Sequence, residues 1–349
     1  MTSDPPATLL ERLESGPVIC AEGYLFELER RGYLQAGAFV PEVVLDHPEQ
    51  VTALHREFVH AGSDVVEAFT YYAHREKLRL IGKEHLLEEL NRGALELASA
   101  VAADTGALLA GNVCNTNVYE PAEASAADAV RAMFTEQIGW AVEAGADFII
   151  GETFNFAEEA LIALEVIRTT GLPSVITLAV HQAPETREGW TIPDACRRIA
   201  DAGADVVGLN CIRGPRTMLP LLRDVVAAVE VPVAGLPVPY RTTVEQPSFQ
   251  SLRDPGYQGL PEGRPFPVAL DPFTCNRFEI GDFTREAERL GVRYFGVCCG
   301  AGPHHIRAMA EALGRTPPAS RYSPDMSKHA FLGSDPSLRA HNIAYGAEL

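Results

Sequence analysis

The chain has 349 residues, 46% of them hydrophobic and 22% charged, with a formal net charge of −18. That length can bury a sizeable core, in one large α/β domain or two ordinary ones, and so acidic a balance argues against a nucleic-acid or anionic-membrane partner, which need clustered Lys and Arg. No uninterrupted apolar run reaches the length of a membrane span, and MTSDPPATLLERLESG lacks the basic region and apolar stretch of a signal peptide, so the expected compartment is the cytoplasm.

Eight short runs rich in Val, Ile and Leu follow one another along the chain: PVICA (17–21), DVVEAFT (64–70), ALLAGNV (107–113), DFIIGET (147–153), PSVITLAV (173–180), ADVVGLN (204–210), VPVAGLP (231–237) and VRYFGVC (292–298). They are continuous rather than alternating, as parallel strands buried on both faces should be. Amphipathic segments lie between them, at roughly 75–104, 126–145, 156–171, 193–203, 215–229, 280–290 and 303–314. Eight strands alternating with helices predict a (β/α)8 TIM barrel. A doubly wound open sheet is the alternative, and the lack of a GxGxxG after the first run weakens its dinucleotide-binding version.

Two regions break the rhythm. Residues 238–279 form a Pro- and Gly-rich stretch between the last two strands, and a loop that long is usually functional or mobile. The barrel is therefore expected over residues 1–315. Residues 316–349 follow as a C-terminal extension without strong periodicity, either a tail or a subunit-contact arm.

In a (β/α)8 enzyme the chemistry sits at the C-terminal ends of the strands. Those ends carry Thr70, Tyr71 and Tyr72 after the second run, and Asn112, Cys114 and Asn115 at the third. They carry Glu152 and Thr153 at the fourth, Asn210 and Cys211 at the sixth, and Cys298 and Cys299 at the eighth. In a strand, adjacent side chains point to opposite faces. Cys298 and Cys299 can converge only if the chain turns there, and Gly300 permits that turn. Cys211, Cys298 and Cys299 at one barrel mouth are candidate ligands for a catalytic Zn2+, which commonly takes three protein ligands and keeps one open position. Spacing alone leaves two other readings open: small buried hydrophobes, or a vicinal redox pair at Cys298 and Cys299. If the three thiolates do hold zinc, the complex carries a formal charge of about −1, a poor activator of water but well suited to an incoming thiol. The implied reaction is alkyl transfer to sulfur.

GLNCIRGP, followed far downstream by GVRYFGVCCGAGPHHIRAMAEAL, resembles the zinc-binding signature of homocysteine S-methyltransferases. ERRGYLQAGAFVPEVVLDHPEQVTALHREFVHAGSDVVEAFTYYAHREKL is similar to the N-terminal third of betaine–homocysteine S-methyltransferases, and the resemblance spans about residues 17 to 318. It implies a (β/α)8 barrel that transfers a methyl group from a small onium donor to homocysteine, giving methionine. Carried over by position, Cys211, Cys298 and Cys299 are the zinc ligands, Glu152 meets the amino group of homocysteine, and Tyr72 lies near both zinc and donor. Asn210, beside the first ligand, either supports the site or caps the following helix. His304 and His305 read as helix-start packing residues.

The departures from the family pattern concern both substrates. Where the family has Asp-Gly at the end of the first strand, this chain reads Cys20-Ala21-Glu22-Gly23. Either Glu22 supplies the carboxylate from a shifted position, with Gly23 beside it, or the amino-acid contact is altered. Phe39 stands where betaine enzymes carry a tryptophan and Thr153 where they carry a tyrosine, so the aromatic cage for a quaternary ammonium is thinner, though Tyr72 is kept. GETFNFAEEA also resembles members that use S-methylmethionine. Glycine betaine is the favoured donor, with S-methylmethionine or dimethylsulfoniopropionate as alternatives. A cysteine-based redox sensor or metal-binding protein without methyl transfer is the reading from another class. Family members with longer C-terminal extensions use them to assemble, and a chain of this length implies a homo-oligomer, with a dimer favoured.

Overall fold

A computed structural model describes residues 7–349. Its eight strands are β1 (Val18–Ala21), β2 (Val65–Glu67), β3 (Leu108–Cys114), β4 (Phe148–Phe154), β5 (Ser174–Leu178), β6 (Val206–Asn210), β7 (Val233–Leu236) and β8 (Val292–Val297). They pair in sequence order, all parallel, and β1 closes on β8 with Val18 beside Tyr294 and Ala21 beside Val297. The expected TIM barrel is therefore the observed fold, and each expected strand is found within a few residues of its place.

The period-two geometry of a strand explains how an apolar barrel ends in a polar mouth. Val18, Cys20, Val65, Leu108, Ala110, Phe148, Ile150, Val175, Val206, Ala234 and Tyr294 form one buried cluster inside the barrel. Leu9 and Leu13 of helix Leu9–Ser15 join it and plug the N-terminal end. Two residues further along, the same inward rows carry Glu22, Glu67, Asn112, Glu152 and Thr177, and four residues along on the sixth and eighth strands stand Asn210 and Cys298. The outward rows (Ile19, Val66, Leu109, Ile149, Ile176, Val207, Phe295) pack with the surrounding helices in the larger core.

Helices Ala124–Glu143, Ala157–Thr170, Ile192–Asp201, Pro215–Val226, Arg277–Leu290 and Pro303–Ala312 match their predicted places. The predicted helix 75–104 is divided. Arg75–Leu80 ends at Gly82, whose φ is 71°, and Leu87–Thr105 starts afresh after a 3-10 turn. Between β1 and β2, where the sequence analysis placed no helix, lie Tyr24–Arg30, Val43–Asp46 and Pro48–Ala61. The last buries Val51, Leu54, His55, Phe58 and Ala61. A histidine in the middle of that stripe interrupts the apolar period by which a helix is recognised.

His55 is fully buried, with Nδ1 3.1 Å from Tyr24 Oη, and burial holds its pKa down at about 3. Between its unfolded value near 6.5 and about 3 the unfolded chain binds the extra proton, so acidification costs stability. His55→Gln cannot take that proton. Across this window the stability lead of the natural protein over the variant should shrink as pH falls, by up to about 1.4 kcal/mol per pH unit. Urea midpoints at several pH values measure it; a pH-independent gap would show that His55 is not held neutral.

Beyond Pro303–Ala312 the chain crosses back over the barrel's flank. Arg315 pairs with Asp64 at 2.6 Å and bonds the Pro17 carbonyl. A 3-10 turn follows at Pro318–Tyr322, and a last helix, Ala340–Gly346, buries none of its residues. Phe331 meets Tyr345 edge-on at 5.8 Å, while Tyr322, Leu332, Ile343 and Tyr345 remain exposed. No helix among the described residues is long and apolar enough to cross a membrane.

Candidate active site

β6 and β8 deliver the three cysteines by two different turns. β6 runs directly into Cys211 and Ile212, both left-handed with φ of 56°, and the Cys211 N–H donates to Leu236 O at 2.8 Å. β8 ends at Val297. Cys298 donates to Pro237 O at 2.9 Å, Gly300 is left-handed at φ 94°, and Ala301 N–H closes the turn on Cys298 O at 3.0 Å. That turn brings Cys299 round to the same side as Cys298. Their sulfurs are 3.9 Å apart, and all three Sγ atoms lie within 4.8 Å of one another. A tetrahedral centre with Zn–S bonds of about 2.3 Å has sulfurs ~3.8 Å apart, so the cluster is sized for one metal ion. The Cys211 thiol is held well below its ordinary range, chiefly by thiol hydrogen bonds from Cys298 and Cys299. Burial first, and then that neighbouring charge, pushes Cys298 up; the Cys211 contact is the leading cause for Cys299. Such a trio surrenders its remaining protons readily only to a cation.

Inward from the sulfurs lies a layer of three buried carboxylates, Glu22, Glu67 and Glu152. Asn112 Nδ2 bridges two of them, donating to Glu67 and, at 2.7 Å, to Glu152 Oε1. Asn210 Nδ2 donates to Glu152 Oε2 at 2.6 Å, and Asn210 Oδ1 accepts from Thr153 N–H at 2.9 Å and Thr177 Oγ1 at 3.0 Å. Burial raises Glu152 to about 7, against the hydrogen bond from Asn112. Burial and the charge of Glu152 raise Glu22 and Glu67 well above the usual carboxylate range. A narrow cavity lined by these three, Asn112, Tyr24, Leu25, Tyr71, Cys298 and Cys299 opens among them.

A second cavity, of about 270 Å3, lies on the outer side of the sulfurs. Phe26, Phe39, Tyr71, Tyr72, Phe249 and Phe266 line it together with Thr153, His181, Cys211 and Cys299. Phe249 and Phe266 come from the long 238–279 stretch, which is anchored by buried Tyr240, Leu252, Leu270 and Cys275. Irregular chain thus supplies rings, Phe249 and Phe266, that no periodicity announced, beside the Phe39 and Thr153 that stand where betaine enzymes were expected to carry larger aromatics. The two cavities share Leu25, Tyr71 and Cys299. A larger hollow of about 550 Å3 lies at the opposite end of the barrel, beside Leu13 and Val231, with no cysteine in its wall.

Among the described residues, the non-glycine positions with positive φ are Phe39, Tyr72, Asn117, Thr153, Cys211, Ile212 and Glu262. All but Glu262 line this outer cavity. For β-branched Thr153 and Ile212 that conformation is a true outlier, and strain of this kind collects where a site must aim its groups.

The family model for homocysteine S-methyltransferase matches residues 19–313. This chain belongs to the homocysteine S-methyltransferase family. It is 39% identical over 334 residues to betaine–homocysteine S-methyltransferase 1 of Danio rerio, covering 93% of this chain and 80% of that one. It is 36% identical over 332 residues to the S-methylmethionine–homocysteine S-methyltransferase of Rattus norvegicus, covering 93% and 86%. The crystal structure of the homocysteine methyltransferase MmuM from Escherichia coli in its metallated form shares the fold, with a TM-score of 0.65 at 19% identity over 86% of this chain and 97% of that one.

In this homocysteine S-methyltransferase the residues singled out from sequence fall into distinct places. Cys298, Cys299, Glu22 and Glu152 line the inner cavity. Phe39, Tyr72, Thr153, Cys211 and Cys299 line the outer one. Asn210 is in neither wall; it ties Glu152, Thr153 and Thr177 together, and the helix after β6 takes Gly214, not Asn210, as its N-cap. Gly23 also lines neither. A Cβ there would sit 2.4 Å from Ala301 O, so its role is close packing against the turn that carries the cysteines. His305 accepts from Gly302 N–H at 3.1 Å and sits in the first turn of its helix, in keeping with a packing role. Glu67, Phe249 and Phe266 went unassigned by sequence reasoning, and Tyr71 and Asn112 were placed at strand ends without a role. For Glu67 the available signal was an acid inside the apolar run DVVEAFT.

Proposed function

We propose that the chain is a zinc-dependent enzyme that moves a methyl group from glycine betaine to the thiol of homocysteine, giving methionine. The observation that carries this is the convergence of Cys211, Cys298 and Cys299 between an acidic cavity and an aromatic one that share a wall. The donor set is all sulfur, which suits zinc. When bound, zinc supplies a lowered thiol pKa, so that the acceptor is a nucleophilic thiolate near neutral pH. The chain does the rest by position. Glu152, fixed by Asn112 and Asn210, receives the acceptor's ammonium group. Phe39, Tyr71, Tyr72, Phe249 and Phe266 face the cationic donor and keep water from it. Tyr71 and Cys299, common to both cavities, mark where methyl carbon and sulfur meet. No general base is required.

A sulfonium donor such as S-methylmethionine is the second reading. Asn155 Oδ1 and Gln250 Oε1, on the outer cavity's wall, are buried without partners and suit the ammonium end of such a donor. Methionine formation measured by mass spectrometry, with each donor in turn, decides between them. Phe39→Ala should raise KM for a quaternary ammonium donor by the equivalent of about 0.5–2 kcal/mol. An unchanged KM would take Phe39 out of the donor site.

Two further points belong to this reading. We also propose that the segment after residue 316, which leaves Tyr322, Leu332, Ile343 and Tyr345 exposed, is a subunit-contact arm of a dimer, which sedimentation of the full chain against one ending at 316 would test. Seven unpaired cysteines suit a reducing compartment, and we place the enzyme in the cytoplasm.

A further inference from the structure

Arg30 ends helix Tyr24–Arg30 and lines neither cavity, yet its guanidinium joins the wall of one to the turn that carries the sulfurs. Nη1 donates to Gly300 O at 3.1 Å, inside the turn that Ala301 N–H closes on Cys298 O. Nη2 donates to Tyr240 Oη at 2.9 Å, and Nε lies 3.6 Å from Asp271 Oδ1. The Asp271 carboxylate is exposed, and such a surface pair contributes little. The two hydrogen bonds are the contacts that matter. Tyr240 is fully buried and stacks on Phe249, the rings only 10° from parallel. Phe249 meets Phe26 at 5.9 Å and Phe266 at 5.1 Å, both edge-on, and these three rings line the outer cavity. Phe26 stands four residues before Arg30, about one turn back on the same helix. A planar fork on one rigid element thus holds both the metal turn and the ring stack of the donor wall. Arg31, next along, pairs with Glu27 at 2.9 Å and Glu57 at 2.7 Å instead.

We propose that Arg30 is a positioning residue for methyl transfer: it fixes the Cys298–Cys299 turn against the wall of Phe26, Phe249 and Phe266, and so sets the line from acceptor sulfur to donor methyl carbon. The inference rests on the methyltransferase reading above. In-line transfer tolerates little misplacement, and a shift of about 1 Å can cost roughly 100-fold in rate. Without the fork, each reactant still finds its own cavity, but the two cavities are no longer held to one another.

Arg30→Met tests this, with Arg31→Met as a control on the same helix and rates referred to bound zinc. Arg30→Met should lose about tenfold or more in kcat while KM for homocysteine stays within about twofold, and Arg31→Met should keep both. Arg30→Lys, which keeps a donor for Gly300 O, should recover part of the loss. A partly misfolded sample also lowers kcat, so hydrogen exchange supplies a second readout. The Arg241 and Cys275 amides flank Tyr240, bonding Phe273 O and Pro239 O, each at 2.8 Å. In the natural protein, loading with zinc should slow their exchange by about tenfold. In Arg30→Met that protection should vanish, and in Arg31→Met it should persist. Zinc that leaves these two amides unaffected in the natural protein overturns the proposal without any variant. Unchanged kcat in Arg30→Met overturns it too, as does undiminished protection there. No methionine from glycine betaine or S-methylmethionine in the natural protein sinks the proposed function instead, and the exchange data still decide whether Arg30 joins turn to wall.

Discussion

Cys211→Ser is expected to lose most of its zinc and nearly all methyl transfer. Cys211 is the only one of the three sulfurs that follows β6, and it is the thiol whose pKa hydrogen bonds from the other two hold down. A serine hydroxyl keeps the shape of the turn but stays protonated at neutral pH and binds zinc poorly. Loss of a group that merely orients a ligand already costs about 10–100-fold in metal affinity or activity, so loss of a ligand should exceed about 100-fold. Zinc content after dialysis and the rate of methionine formation measure the two halves separately. Full activity in the variant would end the zinc mechanism. Retained zinc with lost activity would instead confine Cys211 to aiming the acceptor.

Gly300→Ala should have a comparable effect without touching a ligand. Gly300 holds φ at 94°, where a side chain is strained, and a Cβ there would lie 2.2 Å from Tyr240 Oη and 2.6 Å from its Cζ. Tyr240 cannot step aside. It is fully buried, stacks on Phe249 at 5.9 Å, and accepts a hydrogen bond at 2.9 Å from Arg30, which also holds the Gly300 carbonyl at 3.1 Å. Left-handed strain of about 1–2 kcal/mol and overpacking of about 1–3 kcal/mol together predict a loss of ~2–5 kcal/mol in unfolding free energy. The Cys298–Cys299 turn must shift as well, so zinc stoichiometry should fall. Adding Tyr240→Leu, which removes the ring the new methyl meets, should recover part of the stability. An undisturbed urea midpoint in Gly300→Ala would mean the turn is far looser than its contacts indicate.

What could be read from the sequence follows from what a barrel asks of it. Strands buried on both faces need unbroken apolar runs, and the chemistry must stand where those runs end, so Glu152, Thr153, Asn210, Cys211, Cys298 and Cys299 were visible one after another. Glu67 was not, because within DVVEAFT it looks like a stray polar residue; only closure of the barrel brings it to Asn112 and Glu152. Helix Pro48–Ala61 was hidden by His55, a polar residue that the fold keeps neutral and buried. Phe249 and Phe266 lie in chain without any period, and their convergence on Phe26 is a tertiary fact. Gly23 packs against the Ala301 carbonyl, and of the two readings of Asn210 the structure shows the supporting one, which holds Glu152, Thr153 and Thr177 in place.

The pairing of β1 with β8 has a consequence for biosynthesis. Val18 meets Tyr294 and Ala21 meets Val297, so the ring closes with the last strand made. Cys298 and Cys299 follow at once, 87 residues or more after Cys211. A nascent chain that has emerged as far as β7 carries a lone β6 cysteine and an open row of carboxylates still in contact with water. It has nothing with which to complete a metal centre. On the zinc mechanism proposed above, capture of the ion would be a late event that reports ring closure, and chains stopped before residue 298 should leave the ribosome unable to retain it at this site, however much of the barrel they have formed.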